Sequence, residues 1–226
     1  MNLNKYKFLL FDLDDTLLDF KKAEENAFKK LLETHSLDFS KELFTKYKSI
    51  NSTLWKKFEL GEITNKEVVT TRFSLFFSSL EIKVDGSECD KKYRNFLTEG
   101  NQLFNGVYDL LTKLKKDYIL CIVSNGIATT QYTRMKNSDI TDFFSKIYIS
   151  EEVGAKKPQK QFFDKFFLDF NIKNKSEVLI IGDNLHADIL GGFNANIDTC
   201  WINPNKEINT LDKEPTYVIS SVLDLI

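Results

Sequence analysis

The sequence predicts an α/β fold: a parallel sheet with helices on both faces, interrupted after its first strand by an all-helical insert. Three observations predict it. Phe8-Leu9-Leu10-Phe11 is apolar at every position, as a strand covered on both faces must be. Over residues 19–97, apolar residues recur at helical spacing, glycines are few and no convincing strand appears. After Phe104-Asn105-Gly106, short apolar runs alternate with helical patterns, which implies parallel strands joined by crossover helices.

The elements follow in order. The first strand spans 7–12 and stops abruptly in acids. In the insert, Ala23, Ala27, Phe28, Leu31 and Leu32 mark one helix, and Leu43, Tyr47, Ile50 and Leu54 a second. Val68, Val69, Phe73, Phe76 and Phe77 mark another, with Gly61 and Asp85-Gly86 as punctuation. A bundle of about four helices is expected. Beyond it the spacing predicts helices over 107–116, 129–136, 159–170 and 185–194. Strands are expected over 118–123, 146–149, 178–181, 199–202 and 217–219. The reading is a Rossmann-like, doubly wound core of residues 1–17 and 100–226, with a helical domain of residues 18–99 inserted after the first strand.

Bulk properties narrow the function. The 226 residues are 42% hydrophobic and 28% charged, the balance of an ordinary globular protein. With 31 basic and 33 acidic side chains the net charge is -2, and nothing in that balance suggests a basic surface for a nucleic-acid polymer. A small anionic substrate would need local positive groups. Cys89, Cys121 and Cys200 are an odd set without close pairing, and read as reduced thiols. Asp12, Asp14 and Asp15 interrupt the apolar run 6–18, so neither signal peptide nor membrane span is expected, and the expected location is the cytoplasm.

Four segments carry chemistry, each just past a strand, where open α/β sheets bind ligands. Asp12-Leu13-Asp14-Asp15-Thr16 puts three carboxylates in four positions, and a hard cation such as Mg²⁺ would relieve their repulsion. Alone it also reads as a polar turn. Ser124-Asn125-Gly126 offers a hydroxyl and free backbone N–H groups before a helix, which suits an anion; alone, a simple N-cap is the better reading. In Gly154-Ala155-Lys156-Lys157-Pro158, a lysine at a helix start works against the helix dipole, so Lys157 suggests an anionic partner. Lys156 reads as a solvated surface residue. Gly182-Asp183-Asn184-Leu185-His186-Ala187-Asp188 follows an apolar strand, with Asp183 placed to complete a metal site and Asp188 a turn further on.

Taken together, these motifs resemble the haloacid dehalogenase superfamily: Asp-x-Asp-x-Thr, a Ser strand end, Lys before Pro, and Gly-Asp-x-x-x-x-Asp. Residues 124–126, 149–158 and 189–192 through 198–201, with Glu214-Pro215-Thr216-Tyr217, look like its bacterial pyrimidine 5′-nucleotidases, the house-cleaning nucleotidases. The sequence departs from the usual pattern at Ser138-Asp139-Ile140 and at Asn196, where that subgroup commonly has glycine.

The resemblance implies a phosphatase with a C1-type helical cap. Asp12 would be the nucleophile and form an aspartyl phosphate, and Asp14 the general acid and base. Ser124, with the backbone of Asn125 and Gly126, would hold the phosphoryl oxygens, and Lys157 would neutralise charge. Mg²⁺ would sit among Asp12, the Asp14 carbonyl and Asp183, with Asp188 orienting a water or Lys157 from behind. The partner is a small phosphate ester, a nucleoside monophosphate by resemblance. Phe20, Trp55, Phe58 and residues 73–77 of the cap read as core before they read as substrate contacts, and His35 reads as surface.

Three rivals stand beside this reading: a sugar-phosphate or phosphoglycolate enzyme of the same fold, a phosphate-binding module without turnover, and a response-regulator-like receiver. The intact set of acids and Lys157 disfavours the second. The insert and Asp14 disfavour the third.

Overall fold

The computed structural model describes residues 1–100 and 102–226. The chain divides into two compact units, Met1–Phe20 with Asn101–Ile226, and Lys21–Gly100.

In the first unit, strand β1 (Phe8–Phe11) precedes the helical segment of the chain, which holds α1 (Phe20–Glu33), α2 (Lys41–Leu60), α3 (Asn65–Ser78) and α4 (Gly86–Leu97). Then follow α5 (Val107–Leu114), β2 (Ile119–Ser124), α6 (Ala128–Asn137), β3 (Lys146–Ile149), the short α7 (Ser150–Val153), α8 (Lys160–Asp169), β4 (Val178–Gly182), α9 (Leu190–Ala195), β5 (Asp198–Ile202) and β6 (Tyr217–Ile219). The strands form one parallel sheet in the order β3-β2-β1-β4-β5-β6. Strand β1 lies at its centre, with Phe8 opposite Ile119 on one side and Val178 on the other.

Side chains alternate across a strand, and β1 divides its four apolar residues between two cores. Leu9 and Phe11 pack with Val107, Leu110, Leu111 and Leu114 of α5. Phe8 and Leu10 pack with Phe162, Phe163 and Phe166 of α8. Helices therefore cover both faces, which is why the strand reads as a continuous apolar run.

The helical unit starts its helices with side-chain caps. Ser40 caps α2, Asp85 caps α4, and Thr64 with Glu67 makes a reciprocal capping box on α3. Its interior is aromatic: the Tyr47 ring stacks on Phe28 at 4.6 Å and on Phe73 at 5.3 Å. A buried charge pair crosses it, with Arg72 Nε and Nη2 donating to Asp90 at 2.8 and 2.5 Å and Arg94 Nε at 2.7 Å. Phe58, Phe73, Phe76 and Phe77 are core, and Trp55 packs against Leu54, Phe58 and Val68. His35 corrects its surface reading: its ring lies 4.5 Å from Phe77 and its Nε2 3.5 Å from the Cys89 sulfur.

One expected helix is built differently. Over 185–194 the chain first makes a π-type turn, Leu185–Ile189, and only then the α-helix. Asp188 sits within the widened turn. Its Oδ2 accepts from the Asn184 N–H at 3.1 Å, and the side chain lies across Gly182, where a Cβ would come within 2.2 Å of it. Such single π turns recur at functional sites.

Candidate active site

Asp12, Ser124 and Asp183 stand at the carboxyl ends of strands. The Asp12 N–H donates to Ile181 O at 2.9 Å, which continues the β1–β4 ladder one residue and fixes the carboxylate at the strand tip. Ser124 is the last residue of β2, and Asp183 directly follows β4. Lys157 comes from the loop after α7, and Asn125 ties that loop down. Asn125 Nδ2 donates to Lys157 O, and Asn125 Oδ1 accepts from Lys157 N–H, both at 2.9 Å. The Asn125 side chain is thereby committed to Lys157, so only its backbone is left for the phosphate role expected of it.

Lys157 is the hub. Its side chain is 1% exposed, and its ammonium donates to Asp12 Oδ1 at 2.7 Å, Asp188 Oδ1 at 2.6 Å and Val123 O at 2.7 Å. An ammonium has three donors, and all three are used. Asp188, which sequence reasoning left as a supporting residue, is fully buried and contacts Lys157 directly. Lys156 is buried as well, contrary to its expected exposure, and its N–H donates to Gln159 Oε1 at 3.2 Å.

Asp12, Asp183 and Asp188 form an acid cluster, each with one oxygen within 4.8 Å of the others. Burial pushes the Asp12 carboxyl up, with Asp188 and Asp14 adding to the rise while Lys157 opposes it. Burial also works to lower the Lys157 ammonium, but Asp12 and Asp188 outweigh it and hold that group well above its ordinary value. One lysine cannot balance three carboxylates. The donor set is all oxygen and carries excess negative charge, which fits a hard divalent cation such as Mg²⁺.

Ser124 is buried, and its Oγ accepts from the Gly126 N–H at 3.1 Å and Gln131 Nε2 at 3.0 Å. Asp14 stands apart from the three-acid cluster. Gln131 Nε2 donates to its Oδ2 at 2.7 Å, and Arg134 Nη1 pairs with its Oδ1. Gln131 and Arg134 lie one turn apart on the inner face of α6 and are buried. Sequence reasoning missed both. The available signal was a helix after Ser-Asn-Gly whose inward face carries Gln131 and Arg134 where apolar residues belong.

An open parallel sheet that gathers a lysine-paired aspartate, a buried hydroxyl and an acid cluster at its strand ends defines a class of α/β hydrolases. The family model of the haloacid dehalogenase-like hydrolases matches residues 9–202, and the chain belongs to that family. It is 42% identical to the HAD-hydrolase YfnB of Bacillus subtilis, covering 99% of this chain and 95% of that one. A crystal structure of YfnB bound to magnesium, which reveals interdomain movement in that protein, superposes with a TM-score of 0.92 and covers 97% of this chain and 96% of that one. The pyrimidine 5′-nucleotidase PynA of Streptococcus pneumoniae is 40% identical over 98% of this chain and 94% of its own. The pyrimidine 5′-nucleotidase YjjG of Escherichia coli is 30% identical over 98% and 96%. No helix among the described residues is long and apolar enough to cross a membrane.

Proposed function

We propose that this chain is a Mg²⁺-dependent phosphomonoester hydrolase that works through an aspartyl phosphate on Asp12, with pyrimidine nucleoside 5′-monophosphates as substrates. The observation that carries the chemistry is Lys157 held at 2.7 Å from Asp12 inside a buried acid cluster. The likeness to PynA and YjjG over nearly the whole chain supports the nucleotide class.

In this reading an Asp12 oxygen attacks phosphorus, the ester P–O bond breaks, and the departing alkoxide takes a proton from Asp14. Water then attacks the same phosphorus, the bond to Asp12 breaks with return of its carboxylate, and the water proton passes to Asp14. Ser124, with the backbone N–H groups of Asn125 and Gly126, holds phosphoryl oxygens. Lys157 neutralises Asp12 and the incoming phosphate and is itself oriented by Asp188. Asp12, the Asp14 carbonyl and Asp183 would hold the metal, with the Asp188 carboxylate close by. The ion supplies charge stabilisation where two anions meet.

Phosphate release from UMP, dUMP, dTMP, AMP, phosphoglycolate and sugar phosphates tests it, with Mg²⁺ and with EDTA. Metal-dependent turnover strongest on the pyrimidine nucleotides, and lost in Asp12→Asn, is expected. Turnover confined to sugar phosphates or phosphoglycolate removes the substrate class but keeps the chemistry. No turnover by folded protein removes both.

A further inference from the structure

Asp14 is the one member of the catalytic set that neither Lys157 nor the acid cluster holds, and two buried residues that the reaction itself does not need hold it instead. Gln131 Nε2 stands between two acceptors, Asp14 Oδ2 at 2.7 Å and Ser124 Oγ at 3.0 Å, so it sets the carboxylate beside the phosphate-binding hydroxyl. Gln131 Oε1 accepts from Arg134 Nη1 at 3.0 Å, which fixes the orientation of the amide. The same Nη1 pairs with Asp14 Oδ1. Arg134 is anchored in turn: its Nε donates to Gln102 Oε1 at 2.8 Å, and its guanidinium faces the Phe20 ring at 5.4 Å.

Two further facts set this bracket apart from ordinary packing. Arg134 is 1% exposed, and its Nη2 has no hydrogen-bond partner among the described residues, so part of the guanidinium is buried without a protein acceptor. Gly126 gives way to the bracket, because a Cβ there would meet Gln131 Nε2 at 2.6 Å and Cδ at 2.7 Å. The loop that holds phosphate thus lacks a side chain where Gln131 passes.

We propose that Arg134 and Gln131 are positioning residues for Asp14, holding its carboxylate beside Ser124 where it takes the proton of the water that hydrolyses the aspartyl phosphate. This rests on the phosphatase reading above. In that half-reaction water attacks phosphorus, the P–O bond to Asp12 breaks, Asp12 regains its carboxylate, and the proton moves from water to Asp14. Both bracket residues present N–H donors, which orient an accepting carboxylate.

The test uses the full chain with Mg²⁺ and p-nitrophenyl phosphate, whose leaving group departs without needing a proton, so that only the second half-reaction depends on Asp14. Arg134→Ala and Gln131→Ala should leave kcat/KM within about threefold of wild type while kcat falls about ten- to a hundredfold, within the range of a positioned general base. KM falls with kcat, and acid-quenched samples hold more labelled phosphoenzyme at steady state than wild type does. Arg134→Lys, which keeps a cationic donor, should recover most of kcat. Equal falls in kcat and kcat/KM without extra phosphoenzyme would mark a merely structural role and overturn the proposal, as would unchanged or faster turnover. If Arg134→Ala does not fold, Gln131→Ala leaves the ion pair in place and decides alone. Wild-type protein that turns over nothing overturns the phosphatase reading and this proposal with it, whereas active wild type with unshifted variants overturns only the proposal.

Discussion

Lys157 satisfies two carboxylates and a carbonyl from inside the protein, and its removal leaves Asp12 and Asp188 facing each other without a cation. Breaking a buried pair from one side costs about 3–5 kcal/mol. Lys157→Met should therefore lose turnover and lower stability by about that amount in urea unfolding of metal-free protein. The sequence pointed to Lys157 because a lysine at a helix start has no local reason to be there. It could not show that Asn125 would brace the lysine backbone, since that contact joins residues far apart in the chain. The thiols behave oppositely to the lysine. Burial pushes Cys121 and Cys200 up to about 12, so the thiolate is scarce at neutral pH. In native protein at pH 8 both should resist iodoacetamide, and both should react once the chain is unfolded in guanidinium, as mass spectrometry of tryptic peptides would report.

Turns and helix ends explain the two departures from the nucleotidase pattern. Asp139 and Asn196 have φ of 54° and 57°, in the left-handed region that glycine enters freely and that Asp and Asn tolerate best among the rest. Asn196 closes α9, and its N–H donates to Phe193 O at 3.1 Å. Asp139→Gly and Asn196→Gly should each raise stability by up to about 1 kcal/mol, with activity unchanged, in paired chemical unfolding and turnover measurements. At this scale the strands were the most legible elements, because their apolar runs are continuous and their acids come at the tips. The helix after Asp183 was the least legible. Its π-type turn accompanies Asp188 reaching back across Gly182, a wider spacing than the helical periodicity suggests. Helix α6 was placed correctly, but the role of its inner face stayed hidden, because Asp14, which Gln131 and Arg134 contact, lies 117 and 120 residues away from them in the chain.

Across the molecule, the excess of acid over base at the strand ends is a store of unfavourable energy that a cation relieves. A ligand that binds only the folded state at about a hundredfold above its Kd adds about 2.7 kcal/mol of stability. Titrating Mg²⁺ into EDTA-treated protein should raise the melting temperature, and Asp183→Asn should abolish most of that rise. The topology that gathers these acids also sets an order of events during synthesis. Strand β1 finds its sheet neighbours at Ile119–Ser124 and Val178–Gly182, so it leaves the ribosome long before either of them exists. Lys21–Gly100, by contrast, is one contiguous compact unit whose helices can close on one another as soon as they emerge. In the nascent chain the Phe8-Leu9-Leu10-Phe11 segment therefore stays without its strand partners until the second half of the protein has been made, and an unpaired apolar strand favours aggregation.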